Sequence, residues 1–162
     1  MSADRYPAEL LSDEHDDGTM QDNVDALRQA VVGRRIVSAT RGQAKINVNR
    51  WGGRDRLEGV TGLIIELDDG TKVILEDTSD CCAYTELKSF LLAPDSVDHV
   101  IIGVGTTDGY ETWHVYADMG DVLKLSVGWS CGNPFYYGYG FRIHVSRIID
   151  GEIIPERKAI GS

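Results

Sequence analysis

Gly62-Leu63-Ile64-Ile65-Glu66-Leu67-Asp68-Asp69-Gly70-Thr71-Lys72-Val73-Ile74-Leu75-Glu76 is the stretch whose reading decides the fold. Two runs rich in β-branched and aliphatic residues flank Asp68-Asp69-Gly70, and the glycine supplies the positive φ that a tight turn requires. A β-hairpin is therefore predicted here. Further on, Val100–Val104 is an apolar run. Thr112–Ala117 alternates, with Trp113, Val115 and Ala117 sharing a face. Val122–Trp129 places Leu123, Leu125, Val127 and Trp129 together, and Phe141, Ile143 and Val145 repeat the pattern. Ile148-Ile149-Asp150-Gly151-Glu152-Ile153-Ile154 predicts a last tight hairpin.

Working outward, Arg35–Thr40 reads as a first strand, followed by a basic loop over Arg41–Gly59 that holds a short strand at Ala44–Val48. Two short helices are expected. In the first, Asp22 and Asn23 cap a stretch with Val24, Leu27 and Val31 at helical spacing, and Gly33 ends it. In the second, Ser79-Asp80 precede Ala83, Tyr84, Leu87 and Leu91. About seven or eight strands and two helices make an α+β protein built mainly from antiparallel sheet. Residues 1–21 are acidic without apolar period and read as a disordered or loosely held arm, leaving 22–162 as a single α+β domain.

The net charge of −10 comes in blocks. Residues 1–25 carry eight acids against Arg5, a net of −7; residues 26–56 carry eight bases against Asp55, a net of +7; the remainder carries −10. No apolar run is long enough for a membrane span, and the N-terminus lacks the cationic and apolar regions of a signal peptide, so the expected location is the cytoplasm. Cys81, Cys82 and Cys131 are an odd count without paired spacing and read as thiols.

Asp80-Cys81-Cys82-Ala83-Tyr84, Thr112-Trp113-His114-Val115-Tyr116, and Gly128-Trp129 followed by Gly132-Asn133-Pro134-Phe135-Tyr136-Tyr137 together carry a resemblance. From about Gly62 to Arg147 the chain resembles a family of small uncharacterised bacteriophage and bacterial proteins, a domain of unknown function. Its pattern is an Asp-Cys-Cys turn, a Thr-Trp strand and a Gly/Tyr-rich loop. The resemblance implies a phage accessory gene and therefore a host-cell cytoplasm. It implies no activity, and it leaves the segment before Gly59 outside the shared region.

Cys81 or Cys82 near a helix N-terminus would be acidified, with His114 or His144 as a base, but no Cys/His spacing is diagnostic. Metal motifs use ligand pairs two to four residues apart; His15, His99, His114 and His144 are isolated, although His114 and His144 could meet across strands. Asp68-Asp69 is explained by turn chemistry, and Asp77 with Asp80 by the approach to a helix. No phosphate loop, dinucleotide fingerprint or nucleophile elbow is present. No catalytic residue, metal or cofactor is assigned, and the reading leans away from an enzyme.

Two segments read as binding surfaces. Gly132–Gly140 interleaves Tyr136, Tyr137 and Tyr139 with glycine, which suits a rim that grips a partner. Arg50-Trp51-Gly52-Gly53-Arg54 sets a tryptophan among arginines, which suits stacking and phosphate neutralisation. The leading expectation is a non-enzymatic binding protein that engages a host protein through the aromatic rim. The first alternative is a sponge sequestering a nucleotide-like signal, with Arg50, Trp51, Arg54 and the tyrosines as contacts. The second is a small metal- or thiol-dependent hydrolase. Nucleic acid is disfavoured by the acidic total, and no membrane contact is expected.

Overall fold

The computed structural model describes residues 6–9, 11–12, 15–48, 56–80, 82–132, 138–149 and 152–155. One helix, α1 (Thr19–Val31), precedes ten strands: β1 (Ile36–Val48), β2 (Arg56–Leu67), β3 (Thr71–Glu76), β4 (Thr78–Asp80), β5 (Ala83–Leu92), β6 (Gly103–Thr107), β7 (Thr112–Ala117), β8 (Gly120–Ser130), β9 (Arg142–Ile149) and β10 (Glu152–Pro155). A short 3-10 turn, Pro94–Ser96, lies between β5 and β6. The strands form two five-stranded sheets, ordered β1-β2-β3-β9-β10 and β4-β5-β8-β7-β6, with every pair antiparallel. The α+β, mainly β expectation holds at that level.

The decisive hairpin forms as read. Leu63 pairs with Leu75 and Ile65 with Val73, and these four side chains are buried. They meet Trp113, Val115, Leu123, Leu125 and Val127 of the other sheet, with Met20, Val24, Leu27 and Val31 of α1 added to the same core. Strict alternation along these strands is what lets one face of each sheet be apolar throughout. The other face of the first sheet buries a smaller group, Val60 and Ile74 with Ala44 and Ile64 packed against them.

The second expected helix is a strand. In β5, Ala83, Thr85 and Leu87 point inward while Tyr84, Glu86 and Lys88 are exposed. A register shift between Leu87 and Ser89 then moves the inward phase to Phe90 and Leu92. Ala83, Leu87 and Leu91 stand at intervals of four, which imitates a helix, but the bulge turns Leu91 outward and it is 68% exposed. Pairing with β8 overrides the helical propensity of the run.

β1 and β2 also differ from expectation. The two short strands merge into one of thirteen residues, paired with β2 from Ile36–Leu67 to Val48–Arg56. The expected basic loop is thus mostly hairpin, and its tip, residues 49–55, lies outside the described residues.

α1 starts at Thr19, ahead of the expected Asp22–Asn23 cap. Asp17 Oδ1 accepts from the Thr19 amide at 3.1 Å and Asp16 Oδ1 from the Met20 amide at 3.2 Å, so the acids before the helix satisfy its first donors. Asn23 instead exchanges two 2.8 Å hydrogen bonds with the backbone of Phe141, tying α1 to the approach to β9. The described part of the acidic arm is laid on the second sheet: Tyr6 stacks on His114, and Glu9 reaches Thr106 and the turn after β6.

Candidate binding site

A cleft of about 490 Å³ opens where the arm, the turn after β6 and the end of β8 meet. Trp129 lies in it. Its indole N–H donates to the Gly109 carbonyl at 2.8 Å, its ring stacks on Tyr139 at 6.1 Å, and Tyr110 meets it edge-on. Three fixed neighbours leave the remaining, part-exposed face of the indole as a rigid aromatic surface. Glu111, an exposed carboxylate, stands beside it; Leu11 and His15 of the arm make the facing wall. Ser130, Cys131 and Gly132 complete the lining, and from Gly132 the chain runs directly into the Gly/Tyr-rich segment.

Four groups at or behind the cleft have shifted acidities. Burial pushes the Cys131 thiol up, which makes it a poor nucleophile. Burial also raises the Tyr139 phenol well above its usual value, reinforced by its hydrogen bond to Asp17. Hydrogen bonds from Thr19 and Tyr139 hold Asp17 below the ordinary carboxylate range. Tyr110 is pushed up to about 12 by burial, then by the charges of Asp16, Glu9 and Asp25.

Of the residues read as binding groups, Tyr139 is described, and it is 5% exposed with its hydroxyl on Asp16 and Asp17. It supports Trp129 from below and does not belong to an open rim. Arg50, Trp51, Arg54, Tyr136 and Tyr137 lie outside the described residues. Within the basic segment, Arg28, Arg34, Arg35 and Arg41 are each paired with a carboxylate, of Asp25, Asp69, Asp68 and Asp77 in turn.

The cysteines and histidines form no common site among the described residues. With β5 a strand, Cys82 has no helix dipole beside it; the side chain is exposed in the two-residue turn joining Asp80 to Ala83, and Cys81 lies outside the described residues. His114 and His144 do not meet: Trp113 and Val115 of β7 and Ile143 and Val145 of β9 face the core between the sheets, which puts the two histidines on opposite outer faces. His144 Nε2 faces Glu76 at 2.9 Å, whereas His114 sits between Asp121 at 2.7 Å and Thr107 at 2.9 Å. Among the described residues no three His, Cys, Asp or Glu side chains gather as a metal set, and no helix is long and apolar enough to cross a membrane.

Residues 29–143 match the model of a family described as Domain of unknown function (DUF7448). The chain belongs to the DUF7448 family. The match takes in β1 and β2, so the basic segment falls within the domain and not outside it, as the resemblance had implied; residues 1–28 fall outside the match. No curated protein and no solved structure matches the chain. In this DUF7448 chain a Cβ on Gly138 would lie 2.2 Å from Cβ of Asp80, so the approach to β9 touches the end of β4. Trp113 is wholly buried, donates to the Tyr110 carbonyl at 2.9 Å and meets Phe141 edge-on.

Residue-by-residue reading missed Trp129 and Glu111 as site residues. Trp129 sits on the apolar face of β8 and reads as core; the Gly-Trp-Ser-Cys-Gly run is the signal that the strand ends there.

Proposed function

We propose that this is a binding protein, without catalytic activity of its own, that engages a partner protein at the Trp129 cleft, with the Gly/Tyr-rich segment as flank. The observation that carries the reading is the juxtaposition of a rigidly held, part-exposed indole with the Glu111 carboxylate in one cleft. An apolar stem ending in a cation, a lysine or arginine of the partner, satisfies both: its charge lies over the indole and against the carboxylate. The net charge of −10 steers such a partner toward the molecule. The kinship implied with phage-borne proteins makes a host-cell protein the partner class. A nucleotide-like ligand is a poorer fit, since it would meet Glu111, and the four described arginine pairs leave those guanidinium groups engaged.

A photocrosslinking side chain placed at Ser130 tests this. It should join the protein to one partner, with yield falling at least tenfold in Glu111→Lys and in Tyr136→Ala/Tyr137→Ala, the fold unchanged by circular dichroism. Yield indifferent to both variants contradicts the reading.

A further inference from the structure

The turn between β6 and β7 places Asp108, Gly109 and Tyr110 in succession at φ near +60°, two of them non-glycine. Consecutive left-handed residues are costly and make a concave nest of backbone amides. The Glu9 carboxylate fills that nest. It accepts from the Gly109 amide at 2.8 Å, the Tyr110 amide at 2.7 Å and the Thr106 hydroxyl at 2.8 Å, and Tyr110 Oη donates to the Glu9 carbonyl at 2.7 Å. Neutral donors receive the charge, so the nest suits one carboxylate rather than a polyanion.

Three residues earlier, Tyr6 occupies an aromatic slot on the opposite side of the β6 edge. Its ring stacks on His114 at 4.0 Å and meets Tyr116 edge-on, and its hydroxyl donates to Asp121 at 3.1 Å. The floor is Gly105, where any Cβ would lie 2.3 Å from Cβ of Tyr6. The same Asp121, with Thr107, fixes the His114 ring from both nitrogens. Every part of nest and slot comes from β6, β7, their turn and β8, all within the family match, whereas the occupant lies outside it. The receptor thus belongs to the domain and the arm does not.

We propose that this nest and slot form a peptide-docking site that reads an aromatic residue followed three positions later by a carboxylate, and that Tyr6-Pro7-Ala8-Glu9 is its intramolecular occupant, standing where a partner protein's segment of the same pattern binds. The tethered arm competes at the high effective concentration of a short linker, so docking in trans is weak until the arm is released. The nest adjoins the Trp129 cleft, sharing Gly109 with it, and the arm lends that cleft Leu11 and His15, but the proposal does not rest on a partner binding there.

A fluorescent synthetic peptide of residues 4–12 is the probe, titrated into the full chain and into the full chain carrying Tyr6→Ala/Glu9→Ala, which frees the site without altering it. At least tenfold tighter binding to the double variant is expected, lost tenfold when the peptide's own Glu9 is replaced by Gln or its Tyr6 by Ala. A folded double variant that binds no better than wild type, or that binds the Gln peptide equally, overturns the proposal. If the double variant does not fold, the single Glu9→Gln chain is the second host. A threefold or greater gain over wild type is expected there, and no gain overturns the proposal.

Discussion

Gly138 and Gly109 separate two reasons for a glycine. At Gly138 the backbone is ordinary but space is absent, with Asp80 within 2.2 Å of a built Cβ; at Gly109 nothing lies within 4 Å and the demand is φ +65°. Gly138→Ala should therefore destabilise by about 3 kcal/mol through displaced backbone, and Gly109→Ala by about 1 kcal/mol through conformational strain alone. Urea unfolding of both checks the order; equal losses would contradict this account of Gly138. At this scale the sequence was legible where identity alone speaks, as for the buried Trp113. It was silent on Tyr6 and Glu9, because a carboxylate held by backbone amides leaves no paired cation to notice, and a left-handed turn carries no mark at Tyr110.

Among elements, the hairpins were readable because turn chemistry and alternation are local, and β2–β3 formed in the register its pattern demands. β5 was not, because Ala83, Leu87 and Leu91 stand at helical intervals, and the bulge that shifts the inward phase to Phe90 and Leu92 breaks the alternation that would mark a strand. The joining of β1 into a single long strand was likewise hidden, since its exposed polar residues Arg41, Gln43 and Lys45 look like a loop until β2 is opposite them. Gly62 is the tightest point of the first sheet: a Cβ there would stand 2.1 Å from the Leu75 carbonyl oxygen, within the β2–β3 pairing. Gly62→Ala should cost about 3 kcal/mol and lower the denaturation midpoint more than Gly109→Ala does. A neutral outcome would mean that the two strands do not approach as described.

For the whole molecule, ionisation links stability to pH in a definite sense. Asp17 titrates lower in the fold than unfolded, so its contribution is present above the ordinary carboxylate value of about 4 and is lost as pH falls through its folded value. Tyr110 and Tyr139 titrate higher in the fold. Above about pH 10 the unfolded chain releases protons that the folded chain keeps, so stability falls as pH rises further. Thermal melts should show a plateau between these limits, and Tyr139→Phe should flatten its alkaline limb; an alkaline limb unchanged in that variant would contradict the assignment. Charge blocks were legible from the chain alone, but not how they are used: Arg28 pairs with Asp25 within α1, whereas Arg34, Arg35 and Arg41 reach aspartates far along the chain that come near only once the sheets are assembled. The central claim, a protein partner at the Trp129 cleft, is tested most directly by native mass spectrometry of the untagged protein purified gently from a bacterial lysate. The account predicts a complex with a second protein that disappears in Tyr136→Ala/Tyr137→Ala; an added mass of nucleotide or metal size, or a protein complex indifferent to that substitution, would contradict it.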